Sequence, residues 1–404
     1  MEGRSVSFGL YVLVGVLLNV TALGFARFAY GVVMPFMREG LSLSYAQAGM
    51  LGTSTALGYL GMVIFAGLLT ARWGAKLVVM LGGAGISVSL LGLVWAPSYE
   101  WALGMMFLSG VGTALTFTPL IALLVAWFPE RRGIVIGFMS SGAGIGMFTA
   151  GSLVPIFVEI FPVWGWRSAW AFFGMWSVLV TLLAAFIFKN PPLQKASPEA
   201  AVLDPVAEVY KKKEVLRVGI IYFLLGVAYM IPMTFLVGFM LEREIDPAVA
   251  GRVVAGGGFL SILSGPLWGM VSDRIGRRTA LLISFWAAGA GTSIPVIAPH
   301  LVGFVVGQIV LGCTVGGMLS LVQAAATEQV RPPLIGVALG YVTVFFALGQ
   351  LIGPGAAGWI IDHFGGFQAA FLFSCGMILV GTLFASYIPR DVNSSAAVSQ
   401  AEYK

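Results

Sequence analysis

Charged residues are scarce in this sequence. Only 10% of its 404 residues are Asp, Glu, Lys or Arg, whereas 59% are hydrophobic. A soluble globular domain carries roughly 25% charged residues, so this composition excludes an ordinary soluble domain. The net charge of +5 does not indicate a nucleic-acid-binding surface, because the basic residues stand in short loops between apolar runs.

Cysteine is nearly absent as well. The sequence has two cysteines, Cys313 and Cys375, and both lie inside apolar runs, where they are expected to serve as packing residues. A glycine-rich run over 142–146 lies in an apolar helix with no strand before it, so it fails the context test for a nucleotide-binding loop. No Walker motif is found in the sequence. We therefore predict no catalytic residue, no metal site and no cofactor.

Long apolar runs make up most of the sequence. A helix needs about 20 mostly apolar residues to cross a bilayer, and twelve stretches meet this standard. We predict an all-α membrane protein with transmembrane helices over residues 8–35, 45–70, 77–96, 100–127, 134–160, 168–188, 216–240, 248–271, 279–297, 300–326, 334–361 and 368–388.

The loops between these helices differ in charge. If the N-terminus is cytoplasmic, seventeen basic residues fall on the cytoplasmic side and four fall on the other side, namely Arg38, Arg167, Arg243 and Arg252. This asymmetry predicts that both termini are cytoplasmic. For a bacterial protein, the membrane would be the cytoplasmic (inner) membrane.

One polar segment separates the first six helices from the last six. It contains four prolines and then three consecutive lysines. We predict an N-terminal six-helix bundle over 1–189, a cytoplasmic linker over 190–214, and a C-terminal six-helix bundle with a short tail over 215–404.

The two halves repeat one another. Arg72 and Arg274 stand 202 residues apart in similar loops, and Gly165 and Gly366 stand 201 apart before the sixth and twelfth helices. Two further correspondences have an offset of 203: Gly133 and Gly137 with Gly336 and Gly340, and Glu159 with Asp362. Paired halves of this kind place a substrate site between them near the membrane midplane, and rocking exposes it to each side in turn.

The repeated loop resembles the signature of the major facilitator superfamily. Its second copy is complete at Gly269, Asp273, Arg274, Gly276 and Arg277. The first copy has Ala71 in place of the acid and retains four matching positions, Gly67, Arg72, Gly74 and Lys76. The resemblance implies the twelve-helix fold of that superfamily and a gating or structural role for these nine residues.

Finer resemblances point to two branches. The fourth helix is similar to that of monocarboxylate transporters, which implies that Thr116 and Thr118 are cavity residues, although Gly265 stands where that family carries an arginine. Helices one, seven and eleven look more like the YbfB/YjiJ-type bacterial branch, with Gly24 to Pro35, Tyr222 to Phe235, and Gly349 to Pro354 as the matching segments.

Arg27 is the one charge well inside an apolar run. An arginine at the centre of a membrane helix costs roughly 2.5–3.5 kcal/mol and usually faces a cavity, where its planar fork matches a carboxylate. Tyr30 would share its helix face. The alternatives are that Arg27 bonds helix ends or extends to the interface, and that Tyr30 is an interfacial aromatic. Further candidates to bind substrate are polar groups in apolar helices: Tyr222, Tyr229, Gln323, Tyr341 and Gln350.

All 17 acidic residues lie in loops or near helix ends, as do His300 and His363. A proton relay within the protein is therefore not indicated. Three modes of transport remain open: coupling to a proton that the substrate anion brings with it, uniport, or exchange.

The leading hypothesis is a secondary active transporter of a small, monocarboxylate-like organic anion, monomeric in the lipid bilayer. The second hypothesis is an exporter of amphipathic or aromatic compounds of the drug-efflux type. The third hypothesis is a non-transporting membrane sensor.

Overall fold

The computed structural model describes residues 7–191, 206–331 and 334–388, which are almost entirely helical. Their twelve long helices are α1 (Phe8–Gly40), α2 (Tyr45–Trp73), α3 (Ala75–Val94), α4 (Tyr99–Trp127), α5 (Arg132–Ile160), α6 (Trp166–Ile187), α7 (Lys213–Glu242), α8 (Pro247–Ile275), α9 (Arg277–Ile297), α10 (Leu301–Thr327), α11 (Ile335–His363) and α12 (Gly366–Ser386).

Length and hydropathy suit these helices to a bilayer. Within the described residues, eleven helices each meet the requirements for one membrane crossing. The twelfth, α2, consists of Tyr45–Val63 and Phe65–Trp73, which meet at 47° and together make one more crossing. Large apolar side chains cover the outside of the bundle, as on α6, where Phe186 is 86% exposed. The chain is a multi-pass membrane protein, as the sequence predicted.

Local chemistry sets the helix ends. Ser44 begins α2 with a capping box, in which its hydroxyl accepts from the Gln47 N–H and the Gln47 side chain accepts from the Ser44 N–H. Asp246 caps α8 in a similar way, with Pro247 in the first turn, where a missing N–H costs nothing.

The backbone turns in the same way after the second helix of each half. Gly74, between α2 and α3, has φ +83° and ψ 148°, and Gly276, between α8 and α9, has φ +84° and ψ 150°. Glycine is favoured at such positive φ values. The sequence repeat at these loops is thus also a repeat of backbone geometry.

The bundle has two ends. We call the end with the α2–α3, α4–α5, α8–α9 and α10–α11 connections the basic face, and the other end the opposite face. The linker leaves and enters at the basic face, and its residues 192–205 lie outside the described part of the chain. Where the chain resumes, the ring of Tyr210 packs edge-on against Tyr341 at 5.1 Å.

The halves close against each other toward the opposite face. Both carboxylate oxygens of Asp362, in α11, accept backbone N–H groups at the start of α2, from Tyr45 at 3.1 Å and Ala46 at 2.7 Å. About two turns further along α2, the Thr53 hydroxyl donates to the Leu351 carbonyl at 2.8 Å. Gly49 lies so close to α11 that an added Cβ would fall 2.2 Å from the Pro354 carbonyl oxygen.

The same helices separate toward the basic face. Gly61 and Gly67 on α2, and Gly336 and Gly340 on α11, have no heavy atom of a neighbouring residue within 4 Å of the place where a Cβ would stand. The bundle is therefore closed at the opposite face and open at the basic face.

Candidate functional site

A cavity lies between the two halves, with a volume of about 1320 Å³ including its opening. Helices α1, α2, α4 and α5 of the first half and α7, α8, α10 and α11 of the second form its walls. Among the described residues that line it, Arg27 is the only charged one; its polar companions are Tyr59, Ser140, Tyr222, Tyr229, Ser261, Gln308, Ser320, Gln323, Thr343 and Gln350.

Arg27 is contacted from both halves of the chain. Its Nη2 donates a hydrogen bond of 2.6 Å to Oε1 of Gln350 in α11, and its Cζ lies 4.7 Å from the ring centroid of Tyr59 in α2. Gln350 is 2% exposed, and its amide nitrogen faces the sulfur of Met230 at 3.8 Å. Among the described residues, Gln350 is the sole hydrogen-bond acceptor for a guanidinium that carries five N–H donors. The remaining donors are available to an anion.

Arg27 lies at the end of an unusual stretch of α1. Residues Val20–Phe28 are wound as a π-helix, a form that is rare and concentrated at functional sites. Two hydroxyls on α4, one turn apart, support this stretch. Ser109 donates to the Ala26 carbonyl at 3.0 Å, and Thr113 shares its proton between the Ala22 carbonyl at 3.0 Å and the Ser109 carbonyl of its own helix at 2.9 Å. These bonds tie the carbonyls of the wide turns to α4 and hold Arg27 in its position.

An aromatic wall runs away from Arg27 toward the basic face. Phe28 meets Tyr229 edge-on at 6.1 Å, and Phe346 stacks on Tyr229 at 6.1 Å and on Tyr222 at 4.3 Å. At the end of this wall, Gln323 Nε2 donates to the Tyr222 hydroxyl at 3.0 Å. The cavity thus has a cationic end, an apolar middle and a neutral polar end.

Five of the predicted substrate-binding residues line the cavity: Arg27, Tyr222, Tyr229, Gln323 and Gln350. Tyr30 does not line it, because its side chain packs against α2 instead. Its side chain is 3% exposed and donates to the Ala48 carbonyl at 2.6 Å.

The other three predicted residues are also not among the lining residues. Thr116 is fully buried between α3 and α4, where its hydroxyl donates to the Gly112 carbonyl. Thr118 is exposed and its hydroxyl lies close to that of Tyr59. Tyr341 packs at the basic face on Tyr210, with Phe345 also in edge-on contact at 5.2 Å.

Several lining residues were not among the sequence-based candidates. Gln308 is the clearest, because it is a lone amide in an apolar run, the same signal that pointed to Gln323 fifteen residues later in α10. Tyr59 could have been found as a hydroxyl within the apolar part of α2. Phe346 has no polar group, so only its place in the fold identifies it.

The predicted gating motif occupies the loops of the basic face. Gly74 and Gly276 form the two corners, and the Lys76 N–H donates to Oδ1 of Asn190 at 2.8 Å. Gly67, Arg72, Gly269 and Arg274 border these corners without making close interhelical packing.

In the second copy of the motif, Arg277 is the centre of a polar cluster. Its Nε lies 2.9 Å from Oε1 of Glu328, its Nη2 lies 3.9 Å from Oδ1 of Asp273, and its Nη1 donates to the Ser272 hydroxyl. The Glu328 contact ties α9 to the end of α10.

Comparisons with known proteins agree with this architecture. The family model described as "Uncharacterised MFS-type transporter YbfB" matches residues 19–386. Monocarboxylate transporter 11 of Homo sapiens is 27% identical over 343 residues, covering 81% of this chain and 71% of that protein. The oxalate:formate antiporter of Oxalobacter formigenes is 22% identical over 395 residues, covering 94% and 91%.

A solved structure shows the same fold. A bacterial homologue of the human lysosomal transporter Spinster, captured in an inward-facing and unoccupied conformation, superposes with a TM-score of 0.76 and 18% sequence identity, covering 96% of each chain. Because the family model spans nearly all of the helical part of the sequence, the conclusion is direct: the chain belongs to the YbfB family of major facilitator superfamily transporters.

Proposed function

We propose that this protein is a secondary active transporter that moves a small organic anion, of monocarboxylate type, across the membrane by alternating access. The observation that supports this proposal most strongly is Arg27. It is the one charged residue among the described lining residues, and no acid in that lining neutralises it. A buried cation with unused donors requires a partner, and an anionic substrate provides one.

The relatives support the same chemistry. Monocarboxylates, oxalate and formate, which give these transporters their names, all carry a carboxylate group. A carboxylate binds an arginine through two parallel hydrogen bonds, and such charge-assisted bonds are stronger than neutral ones. Gly265 lines the cavity where monocarboxylate transporters carry an arginine, so we assign the anion to Arg27.

Alternating access is supported by the asymmetry of the bundle. The contacts of Asp362 with the start of α2, and of Thr53 with α11, close the opposite face, whereas α2 and α11 separate at the basic face. Closing the basic face requires these contacts to break. With both termini cytoplasmic, as the loop charges favour, this structure is the inward-open state.

A drug-efflux function is the second candidate, because the cavity walls are rich in aromatic residues and methionine. A drug-efflux function would be favoured only if Arg27 turned away from the cavity. In this structure Arg27 lines the cavity. The third hypothesis, a non-transporting sensor, has no specific feature in its favour.

The test is uptake into proteoliposomes by wild-type protein and by Arg27→Gln, with labelled benzoate as the anion and benzamide as its uncharged analogue. We expect saturable benzoate uptake that Arg27→Gln abolishes, and benzamide uptake by both proteins no faster than its passive entry into protein-free liposomes. Arg252→Gln is the matched control, because Arg252 is exposed at the start of α8 and, among the residues that the structure describes, bonds only the Ala248 carbonyl of its own helix. Equal benzoate uptake by Arg27→Gln and wild type would refute the proposal.

A further inference from the structure

The cavity beyond Arg27 has its own chemistry, which narrows the class of substrate. We infer that the substrate is a planar aromatic monoanion that carries a hydroxyl group at the end remote from its carboxylate. This inference rests on the proposed function, because it takes Arg27 as the position of the carboxylate.

The charge of the cavity limits the substrate to one negative charge. Arg27 is the single cation among the described lining residues, so a second carboxylate on the same substrate would enter a largely apolar cavity without a partner. Leaving a buried charge unpaired costs several kcal/mol. The same lining contains no acid, so an ammonium group on the substrate would also be unpaired.

The aromatic wall favours a planar body. Phe346 lies in the middle of this wall, stacked on Tyr222 with an interplanar angle of 16° and on Tyr229 with one of 24°. Across the cavity, Tyr59 and Phe117 present two more rings from the first half. Aromatic rings gain about 0.5–1.5 kcal/mol from each well-placed ring partner beyond the burial of their area.

The length of the wall can be measured on two helices. Tyr229 and Tyr222 are seven residues apart on α7, and Gln350, which binds Arg27, is seven residues from Thr343 on α11. At 1.5 Å per residue, each separation corresponds to about 10 Å along the helix. A substrate held at Arg27 therefore reaches the polar end only if its body is the length of an aryl acid rather than of a two- or three-carbon acid.

The polar end of the cavity, which is formed by Tyr222, Gln323, Ser320 and Thr343, matches a hydroxyl group in particular. The hydroxyls of Ser320 and Thr343 donate to carbonyls of their own helices, those of Gly316 at 3.0 Å and Leu339 at 2.7 Å, so they offer only acceptor lone pairs to a substrate. The Tyr222 hydroxyl accepts from Gln323, so its own proton is free to be donated. A substrate hydroxyl can donate its one proton to either of the first two and accept from the third, whereas an ether can only accept.

The experiment is competition against labelled benzoate uptake in proteoliposomes by 4-hydroxycinnamate, 4-methoxycinnamate, cinnamate, acetate and terephthalate. We expect 4-hydroxycinnamate to compete best and acetate and terephthalate to compete weakly. In Tyr222→Phe, the inhibition constant of 4-hydroxycinnamate should rise about three- to tenfold, the range for one neutral hydrogen bond, while that of cinnamate stays the same. Tyr210→Phe, at the basic face, should change neither.

A second variant tests the wall. Phe346→Ala should weaken all three cinnamates about three- to tenfold relative to acetate. Its control is Phe345→Ala, because Phe345 packs on Gly219 and Tyr341 outside the cavity lining.

Three results would overturn the inference while leaving Arg27 as an anion site: acetate, terephthalate or 4-methoxycinnamate competing as well as 4-hydroxycinnamate, Tyr222→Phe weakening cinnamate as much as 4-hydroxycinnamate, or Phe346→Ala weakening acetate as much as the cinnamates. Loss of all competition in wild type, or benzoate uptake that survives Arg27→Gln, would overturn the proposed function together with the inference.

Discussion

The guanidinium of Arg27 and the side-chain amide of Gln350 are joined by a hydrogen bond of 2.6 Å, although the two residues stand 323 positions apart in the chain. One belongs to the first half and the other to the second. The residue to which we assign the anion thus lies at the interface between the two halves, which must move when the halves rock. The same Arg27–Gln350 hydrogen bond therefore belongs both to the substrate site and to the contact between the halves.

Replacing Gln350 by Glu should inactivate the site. The change preserves the shape of the side chain and places a carboxylate beside the guanidinium, where it would occupy the donors that we assign to the substrate. Charge-assisted hydrogen bonds contribute about 1.5–3 kcal/mol, so we expect the apparent affinity for benzoate to fall tenfold or more. Gln368→Glu, near the opposite face where Gln368 bonds the Val296 carbonyl, introduces the same charge outside the cavity. If both variants transport normally, Gln350 is not part of the anion site.

The hydroxyls of Ser109 and Thr113 should stabilise the π-helical stretch of α1 and thereby affect both protein stability and benzoate binding. The double variant Ser109→Ala, Thr113→Val removes both interhelical bonds without a large change in volume. Hydrogen bonds between membrane helices contribute about 0.6 kcal/mol each, so we expect a loss of stability of about 1 kcal/mol in thermal unfolding, together with weaker benzoate binding. Thr149→Ala is the control, because the Thr149 hydroxyl donates to the Ile145 carbonyl of its own helix and to no other helix in the described part of the chain. Unchanged benzoate binding in the double variant would show that these bonds do not position Arg27.

Asp362 should stabilise the closed opposite face. A carboxylate at a helix N-terminus contributes about 0.3–1 kcal/mol, so Asp362→Asn should raise the population of the state that is open at that face up to roughly fivefold. The measurement is the rate at which an impermeant thiol reagent labels Thr53→Cys in a background that lacks Cys313 and Cys375. Glu100→Gln, an exposed acid on the same face with no partner from the other half among the described residues, should not change the rate. Equal rates for Asp362→Asn and its parent would remove Asp362 from the closure.

The helices could be predicted from the sequence because lipid leaves the backbone few choices. In a bilayer, an apolar run of about 20 residues must satisfy its own hydrogen bonds, and a helix does so. The stretch predicted over 100–127 is Tyr99–Trp127 in the structure, and the one predicted over 300–326 is Leu301–Thr327. The repeat was equally visible, because Gly74 and Gly276 must adopt a backbone conformation that favours glycine.

The rotation of each helix could not be predicted. Thr116 and Thr118 are two residues apart, so they point about 200° apart around α4, and the close approach of Gly82 to Thr116 decides which of them is buried. Tyr30 packs on α2 and donates to the Ala48 carbonyl, a contact between helices that the sequence of α1 alone does not indicate. Apolar helices have no strong amphipathic pattern, because lipid and core are both apolar, and pairs such as Arg27 with Gln350 follow only from the packing.

The most direct test of an anion at Arg27 is to locate one. Crystals of the protein soaked with 4-iodobenzoate should show the carboxylate within hydrogen-bonding distance of the Arg27 guanidinium, with the anomalous signal of the iodine along the wall of Tyr229, Phe346 and Tyr222. An ordered iodobenzoate elsewhere in the cavity, with Arg27 bonded only to Gln350, would contradict the assignment of Arg27 as the anion site.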